Sequence, residues 1–284
     1  MKRFVLALCA LAMFAPACSL GPREDWADAM HDAHVAAARE GTARVRMAAD
    51  VKVIETVIRQ EPKPLIARLE GIARFDDQRA RMVGSTGTRP VIVFDDLVVY
   101  LPRSATSIAG GTRRWASYDF RQEPDEDLDD TDRLRAVGAG LISPVLAVEL
   151  LEGVLTGSIE RVGAETFGGT QTTHYRVKIS QDAAAREIDD DDRREGALRL
   201  LESLGIQDDI FPADVWLDDD GLARRISFVL RQQKDRVNAF ELRLAWEFFD
   251  YGSPVPAIAL PPRNDTVTSG RVRAFIEEYI REAA

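Results

Sequence analysis

Hydrophobic periodicity divides the first part of the chain into a helix followed by a strand. Residues 24–40 place apolar side chains three and four positions apart, and Gly41 follows as a stop, which predicts an amphipathic helix. After Gly41 the period changes to two, since Val45, Met47 and Val51 alternate with mostly charged neighbours. This alternation predicts a long strand that is buried on one face and wet on the other.

The same alternation recurs in a series of segments that ends near residue 120. Polar turn signals separate these segments, and successive strands joined by short turns form an antiparallel meander. The predicted strands cover residues 65–75, 78–83, 91–101 and 114–120. The charged stretch at 121–136 contains few apolar residues and is predicted to be a solvated loop.

An apolar helix is predicted to follow that loop. Ser143 and Pro144 form a typical helix start, in which a capping residue precedes a proline at the first helical position. The residues that follow are apolar around most of the helix surface, so the helix must be covered. A concave sheet is the obvious cover for it.

Strands and helices alternate again in the second half of the chain. Asp220 and Gly221 are a hairpin signal between two of the strands, and a further amphipathic helix passes through Leu200. A proline-rich stretch leads to an amphipathic C-terminal helix, predicted at about 267–282. The predicted strands cover residues 158–162, 171–179, 212–217, 222–230 and 240–249.

The N-terminus has the layout of a secretory signal peptide. Lys2 and Arg3 precede an apolar stretch at 4–15, which is too short for the roughly 20 residues that cross a bilayer as a helix. Cys18 follows the small residues 15–17, as in the lipobox of bacterial lipoproteins, where the sulfur receives a diacylglyceryl group. The same small residues also fit the cleavage site of an ordinary secreted protein, so both readings stay open. We expect removal of residues 1–17 and lipidation of Cys18.

Charge limits the partners of the remaining body, which we interpret as a single domain over residues 18–284. The whole chain has a formal net charge of −10, and removing the signal peptide takes away two cations and no acid. An acidic body argues against nucleic acid as a partner. Attachment to the extracytoplasmic face of the cell membrane would then depend on the acyl anchor rather than on anionic headgroups.

Recognisable catalytic patterns are missing from the sequence. It contains no nucleophile elbow, phosphate-binding glycine loop or zinc-protease helix, so we predict neither an enzyme nor a cofactor. His31 and His34 are three apart on the first helix, a spacing that could bring both to one metal, but no third ligand is evident and no metal site is predicted.

Two sequence motifs resemble a known family. The first runs from Ala213 through Trp216 to Arg225, and the second is the run 249–252 ahead of the closing prolines. Together with the signal, the strands and the apolar helix, they resemble the LolA/LolB-like lipoproteins of actinobacteria, of the LprG/LppX type. The resemblance implies an α+β fold in which a large curved antiparallel half-barrel sheet wraps around a few helices, with an apolar cavity between sheet and helices.

The resemblance also implies a function. Members of the family bind acylated lipids or glycolipids and are thought to carry them across the cell envelope, so a lipid ligand and an envelope transporter partner are expected. The alternative is a non-catalytic interaction module, which uses the same fold as a filled scaffold to bind an envelope protein. The C-terminal helix and the acidic loops at 123–132 and 189–192 depart from the family pattern.

Apolar residues on helix faces and on inward strand positions are the candidates for contact with the ligand. Plain core packing is an alternative for each of them, and a one-residue register slip would move a strand's whole set to the other face. The candidates are Val45, Met47, Val51, Met82, Val93, Trp115, Val148, Leu151, Leu155, Leu200, Phe228 and Trp246.

Overall fold

Alternating strands and short helices make up the part of the chain that a computed structural model describes. This part consists of residues 23–55, 65–84, 91–102, 114–122, 142–203, 209–235 and 238–268. The strands are β1 (Thr42–Glu55), β2 (Leu65–Arg74), β3 (Arg79–Gly84), β4 (Val91–Asp95), β5 (Val98–Pro102), β6 (Trp115–Asp119), β7 (Glu160–Phe167), β8 (Thr170–Ser180), β9 (Ile210–Leu217), β10 (Ala223–Asp235), β11 (Asn238–Phe249) and β12 (Thr266–Thr268).

All twelve strands belong to one curved, unclosed sheet. Its order is β12-β6-β5-β4-β3-β2-β1-β11-β10-β9-β8-β7, so two meanders lie side by side and are joined where β1 pairs with β11. The β1–β11 register runs from Arg44 opposite Phe249 to Glu55 opposite Ala239. The predicted fold class, a large curved sheet with a few helices, is therefore confirmed.

Five α-helices accompany the sheet in the described residues. They are α1 (Arg23–His31), α2 (Ala33–Glu40), α3 (Pro144–Glu149), α4 (Gln181–Arg186) and α5 (Asp191–Ser203). Short 3-10 helices cover Leu150–Gly153, Thr156–Ser158 and Arg263–Asp265. The Ser143 hydroxyl caps α3 by accepting a hydrogen bond from the backbone N–H of Val145 at 3.2 Å. In this part of the chain, no helix has the length and apolar content needed to cross a membrane.

Several predicted element boundaries differ from the structure. The predicted strand 91–101 is a hairpin of β4 and β5, because Asp96 turns the chain with a φ of 54°, a left-handed conformation that aspartate tolerates. The helix predicted over 24–40 is interrupted at Asp32. Residues 267 and 268, at the predicted start of the C-terminal helix, belong to β12, and 269–284 lie outside the described residues.

One strand pair departs from the antiparallel pattern. β12 runs parallel to β6, with Thr266 opposite Trp115 and Thr268 opposite Ser117. The long connection from β11 to β12 makes this possible, because only strands joined by a short hairpin must be antiparallel. The backbone N–H and side chain of Arg114 fix the edge by donating to Asp265 at 2.9 and 2.7 Å.

The two faces of the sheet have opposite chemistry. Residues directly opposite each other on neighbouring strands lie on the same face, so the register defines complete rows across the sheet. One inner row is entirely apolar and buried, and consists of Val215, Ile226, Trp246, Met47 and Leu69. The adjacent outer row consists of Trp216, Arg225, Glu247, Arg46 and Glu70.

Candidate functional site: the inner face of the sheet

The inner face is one continuous apolar surface. Its largest fully buried side chains include Trp246, Phe228, Phe248 and Met82, which come from β10, β11 and β3. The ring centroids of Phe228 and Trp246 are 5.2 Å apart and those of Phe211 and Phe228 are also 5.2 Å apart. Apolar residues from both meanders and from the helices form a single core cluster.

Helices cover this surface from the concave side. All of α3 except Glu149 is buried, and Val148 and Leu151 have no exposed surface. α3 contacts β2, β3 and β10, and α2 contacts β1, so the helices lie over the middle of the sheet. α4 and α5 form an insertion between β8 and β9.

A narrow apolar cleft separates α3 from α4 and α5. Its volume is about 10 Å³, and its walls include Leu150, Ala184 and Leu201, with Glu149 and Gln181 as polar members. Sites for small molecules measure roughly 300–1,000 Å³. At this volume the cleft is a seam between packed helices.

A largely buried network of ion pairs connects α5 with α3 and with the sheet. Arg193 of α5 donates to Glu149 at 2.7 Å and to Asp96, in the β4–β5 turn, at 2.8 Å. Gln78 donates to the other oxygen of Glu149 at 3.2 Å. Burial raises the pKa of Glu149 above its ordinary value, although Arg193 pulls it in the opposite direction. The same carboxylates raise the pKa of Arg193, against the effect of its burial.

The two histidines of the N-terminal helices also contact the segment after α3. His34 Nδ1 lies 2.5 Å from Glu152, and His31 Nε2 lies 3.1 Å from the carbonyl oxygen of Val154. Burial raises the pKa of Glu152, and the neighbouring His34 opposes that shift. In the described residues no group of three or more His, Cys, Asp or Glu side chains could hold a metal ion.

Eight of the predicted ligand residues meet in the inner core cluster and are at most 3% exposed. They are Val45, Met47, Met82, Val148, Leu151, Leu200, Phe228 and Trp246. Leu155 is only half-buried, at the end of the turn that follows α3. The side chain of Val51 and the predicted lipidation site Cys18 lie outside the described residues. The ligand contacts of all these residues remain a prediction.

The inward orientation predicted for Val93 and Trp115 is wrong. Val93 pairs with Arg81 and Tyr100, while its neighbours Ile92 and Phe94 belong to the inner cluster. Trp115 likewise shares the outer face, because the next residue of β6, Ala116, belongs to the inner cluster. β4 is apolar at four successive positions, so its sequence does not define which face is buried.

The outer face is a ladder of ion pairs and stacked rings. The guanidinium of Arg46 lies 3.4 Å from Glu70, and Arg225 lies 4.0 Å from Glu247. These side chains border a shallow groove of about 260 Å³ whose floor includes Ala48 and Ala245. Partly exposed pairs of this kind contribute little free energy.

His174 joins three strands at one end of that ladder. Its ring nitrogens lie 3.1 Å from Glu165 and 2.8 Å from Asp214, and its ring stacks on Trp216 at 4.1 Å. Trp216 donates to Glu165 at 2.9 Å, and this bond, followed by that of His174, holds the pKa of Glu165 below its ordinary value. These contacts give His174 a structural role in holding β7, β8 and β9 together.

The two motifs that carried the family resemblance meet in space. Asp218 accepts hydrogen bonds from the backbone N–H groups of Asp220 and Leu222 at 3.0 Å and from Arg224 at 2.6 Å, which closes the β9–β10 hairpin. Tyr251 of the second motif donates to the carbonyl oxygen of Ala223 at 2.8 Å. Both motifs therefore stabilise the β9–β10 hairpin.

The ion network of Glu149 and Arg193 is the part of the site that sequence reasoning missed. These residues are 44 positions apart and Asp96 is a further 53 positions away, so no local pattern links them. The one usable signal was Glu149 itself, a single acid within the apolar helix that must be covered.

Comparison with known proteins gives similarity in structure alone. No protein-family model and no curated protein matches the chain. Lipoprotein LppX from Mycobacterium tuberculosis is 14% identical, with a TM-score of 0.41 over 82% of this chain and 98% of that one. LprF from Mycobacterium bovis is 12% identical, with a TM-score of 0.40 over 84% of this chain and 97% of that one. A LolA-superfamily protein from Nitrosomonas europaea is 7% identical, with a TM-score of 0.32 over 81% of this chain and 94% of that one. LppX and the LolA-superfamily protein carry the names of the group that the sequence motifs resemble.

Proposed function

We propose that this protein is a membrane-anchored lipoprotein that binds an acylated lipid between the sheet and its covering helices, and transfers it within the cell envelope. The observation that carries the proposal is the continuous apolar inner wall, which is covered by separate short helices rather than by a second sheet. Such a wall offers acyl chains an environment similar to a bilayer interior. The family resemblance of the sequence motifs points to the same class of ligand.

Transfer requires that the free energies of the lipid in the protein and in the membrane be similar, so that the protein can both take up and release it. Burial contributes about 0.8 kcal/mol per methylene group, both in the protein and in the membrane that the lipid leaves. Because the two apolar environments are comparable, exchange between them is close to neutral and reversible. The helices must move to admit a ligand, and the seam between α3 and the α4–α5 insertion is the place where the cover is divided.

Native mass spectrometry of protein purified from its own membranes tests this proposal. We expect lipid adducts on the folded protein, and saturable uptake from phosphatidylglycerol vesicles after delipidation. A protein that carries no adduct and takes up no lipid would refute the proposal.

Two adjacent alanines of β1 provide a matched pair of variants. Ala49 is fully buried on the inner wall, whereas Ala48 lines the outer groove. Ala49→Leu should reduce lipid uptake at unchanged secondary structure, and Ala48→Leu should leave uptake unchanged. Equal uptake by the two variants would contradict binding at the inner wall.

The tight inner packing favours a second candidate function. Trp246, Phe228 and Phe248 fill the wall with less than 2% of their surface exposed, as expected of a filled scaffold. In that case the protein is a non-catalytic envelope module, which binds a protein partner through its surface. Capture of one stoichiometric envelope protein by lipid-free protein, combined with no lipid uptake, would favour this function over the first.

A further inference from the structure

The indole N–H of Trp246 is a buried hydrogen-bond donor. The residue lies on the inner face of β11 and has no exposed surface. Its indole Nε1–H finds no acceptor among the residues that the structure describes. A buried donor in this state has lost its hydrogen bond to water and gained none in return, which costs free energy.

The surroundings of Trp246 explain why the described part of the chain offers no acceptor to this donor. Met47 and Ile226 lie directly opposite on the neighbouring strands, and Phe228 packs against the ring at 5.2 Å and 60°. All of them belong to the inner apolar cluster. A phenylalanine at this position would fill similar space without the cost of an unpaired N–H.

Two other polar aromatic groups in the described residues have hydrogen-bond partners. Trp216, on the outer face, donates to Glu165 at 2.9 Å. The hydroxyl of Tyr251 donates to the carbonyl oxygen of Ala223 at 2.8 Å, even though that side chain is deeply packed. Trp246 is therefore an exception at the position where the proposed ligand would lie.

We propose that the indole N–H of Trp246 donates a hydrogen bond to the carbonyl oxygen of an acyl ester or amide bound against the inner wall. This inference rests on the proposed lipid-binding function and specifies its ligand. The site would select acylated lipids over plain hydrocarbons of the same length, because only the former bring an acceptor. A neutral carbonyl suits the position better than a phosphate, since a charged group would lose its hydration in an apolar environment.

Two probes that differ by one ester group test the inference. Methyl palmitate and hexadecane, each delivered from cyclodextrin, are titrated into the delipidated full-length protein. Trp246→Phe keeps an aromatic ring, though a smaller one, and removes the donor, so it should weaken binding of methyl palmitate about tenfold, the effect of one net hydrogen bond. Binding of hexadecane should be unchanged. Trp216→Phe, on the outer face, is the matched control and should alter neither affinity.

The indole ¹⁵N–H resonance of Trp246 gives a second measurement that does not depend on a variant's folding. It is assigned by its loss in Trp246→Phe, or by selective labelling if that variant does not fold. Methyl palmitate should shift this resonance downfield, as hydrogen bonding does, and hexadecane should not produce that downfield shift.

The outcomes separate the inference from the proposed function. Suppose that both probes bind, that methyl palmitate does not shift the indole resonance, and that its affinity is the same in Trp246→Phe. The role of Trp246 is then refuted, and lipid binding stands. If neither probe nor vesicle lipid binds the wild-type protein, both proposals fail together.

Discussion

At the scale of single residues, the most consequential group in the cover of the sheet is Glu149. It is the one half-buried member of an otherwise buried helix, and Arg193 and Gln78 contact its two oxygens. Burial still outweighs these partners and raises the pKa of Glu149. Ion pairs of this kind show how the desolvation of a charge can exceed its attraction to a partner.

The raised pKa of Glu149 predicts how stability depends on pH. The folded state holds this proton more tightly than the unfolded state, so the contribution of the group to the free energy of unfolding is full at acidic pH. It is lost as the pH rises from the ordinary glutamate range through the higher folded-state pKa. Glu149→Gln should therefore flatten this part of the pH profile, measured by urea denaturation at several pH values.

The control for this experiment is an exposed glutamate of α5. Glu195 pairs with Arg199 near the surface and is 67% exposed, so Glu195→Gln should leave the pH profile as it is in the wild-type protein. A profile that is the same in wild-type protein and in Glu149→Gln would refute the prediction.

At the scale of elements, close backbone approach fixes β2 against β3. Gly71 lies on a second inner row, between Val45 and Met82. A methyl group built on Gly71 would lie 2.8 Å from Met82 Sδ and far too close to the carbonyl oxygen of Arg81. Met82 therefore occupies the space next to Gly71 that a side chain would otherwise fill. The packing of the apolar wall at this point requires a glycine.

This contact predicts a large effect of one methyl group. Gly71→Ala forces the backbone of β3 away and should lower the free energy of unfolding by about 3 kcal/mol. Gly163→Ala, in β7, is the matched control because a methyl group there meets no atom within 4 Å, and we expect a change within about 0.5 kcal/mol. Denaturation of both variants at one pH measures the difference. Similar losses in the two variants would contradict the role of Gly71.

At the scale of the whole molecule, an unclosed sheet with an apolar inner wall is combined with an acidic chain. The two meanders meet at β1 and β11, and the proline-rich segment after β11 returns the chain to the far edge at β12. The chain has a net charge of −10, so attraction to anionic headgroups does not bring it to a membrane. The proposed acyl anchor at Cys18 would supply that attachment instead.

Cell fractionation tests the anchor. We expect the wild-type protein in the membrane fraction with the mass of a diacylated chain that begins at Cys18, because two acyl chains hold a protein stably at a bilayer. Cys18→Ser should abolish this mass and move the protein to the soluble extracytoplasmic fraction. Cys9→Ser, within the predicted signal peptide, should change neither result. A soluble wild-type protein with an unmodified Cys18 would instead support simple secretion.

Much of the element pattern was readable from the sequence because burial on one face leaves a period of two in a strand. β1, β9 and β11 alternate clearly, and their predicted positions agree with the structure to within a few residues. The prediction failed where apolar and polar residues do not alternate along the strand. In the apolar run of β4 the wrong face was assigned to Val93, and the turn at Asp96 was missed.

The sequence alone therefore determined the sheet-and-helix composition, the acidic charge and the signal-like N-terminus, because each of these depends on residues close together along the chain. The tertiary structure decided which residues share the inner wall, the parallel edge at β12, and the meeting of Glu149, Arg193 and Asp96. Within the residues that the structure describes, it also left the donor of Trp246 unpaired among apolar neighbours. These features depend on contacts between distant segments, whose partners are fixed only when the strands assemble into one sheet and pack against the helices.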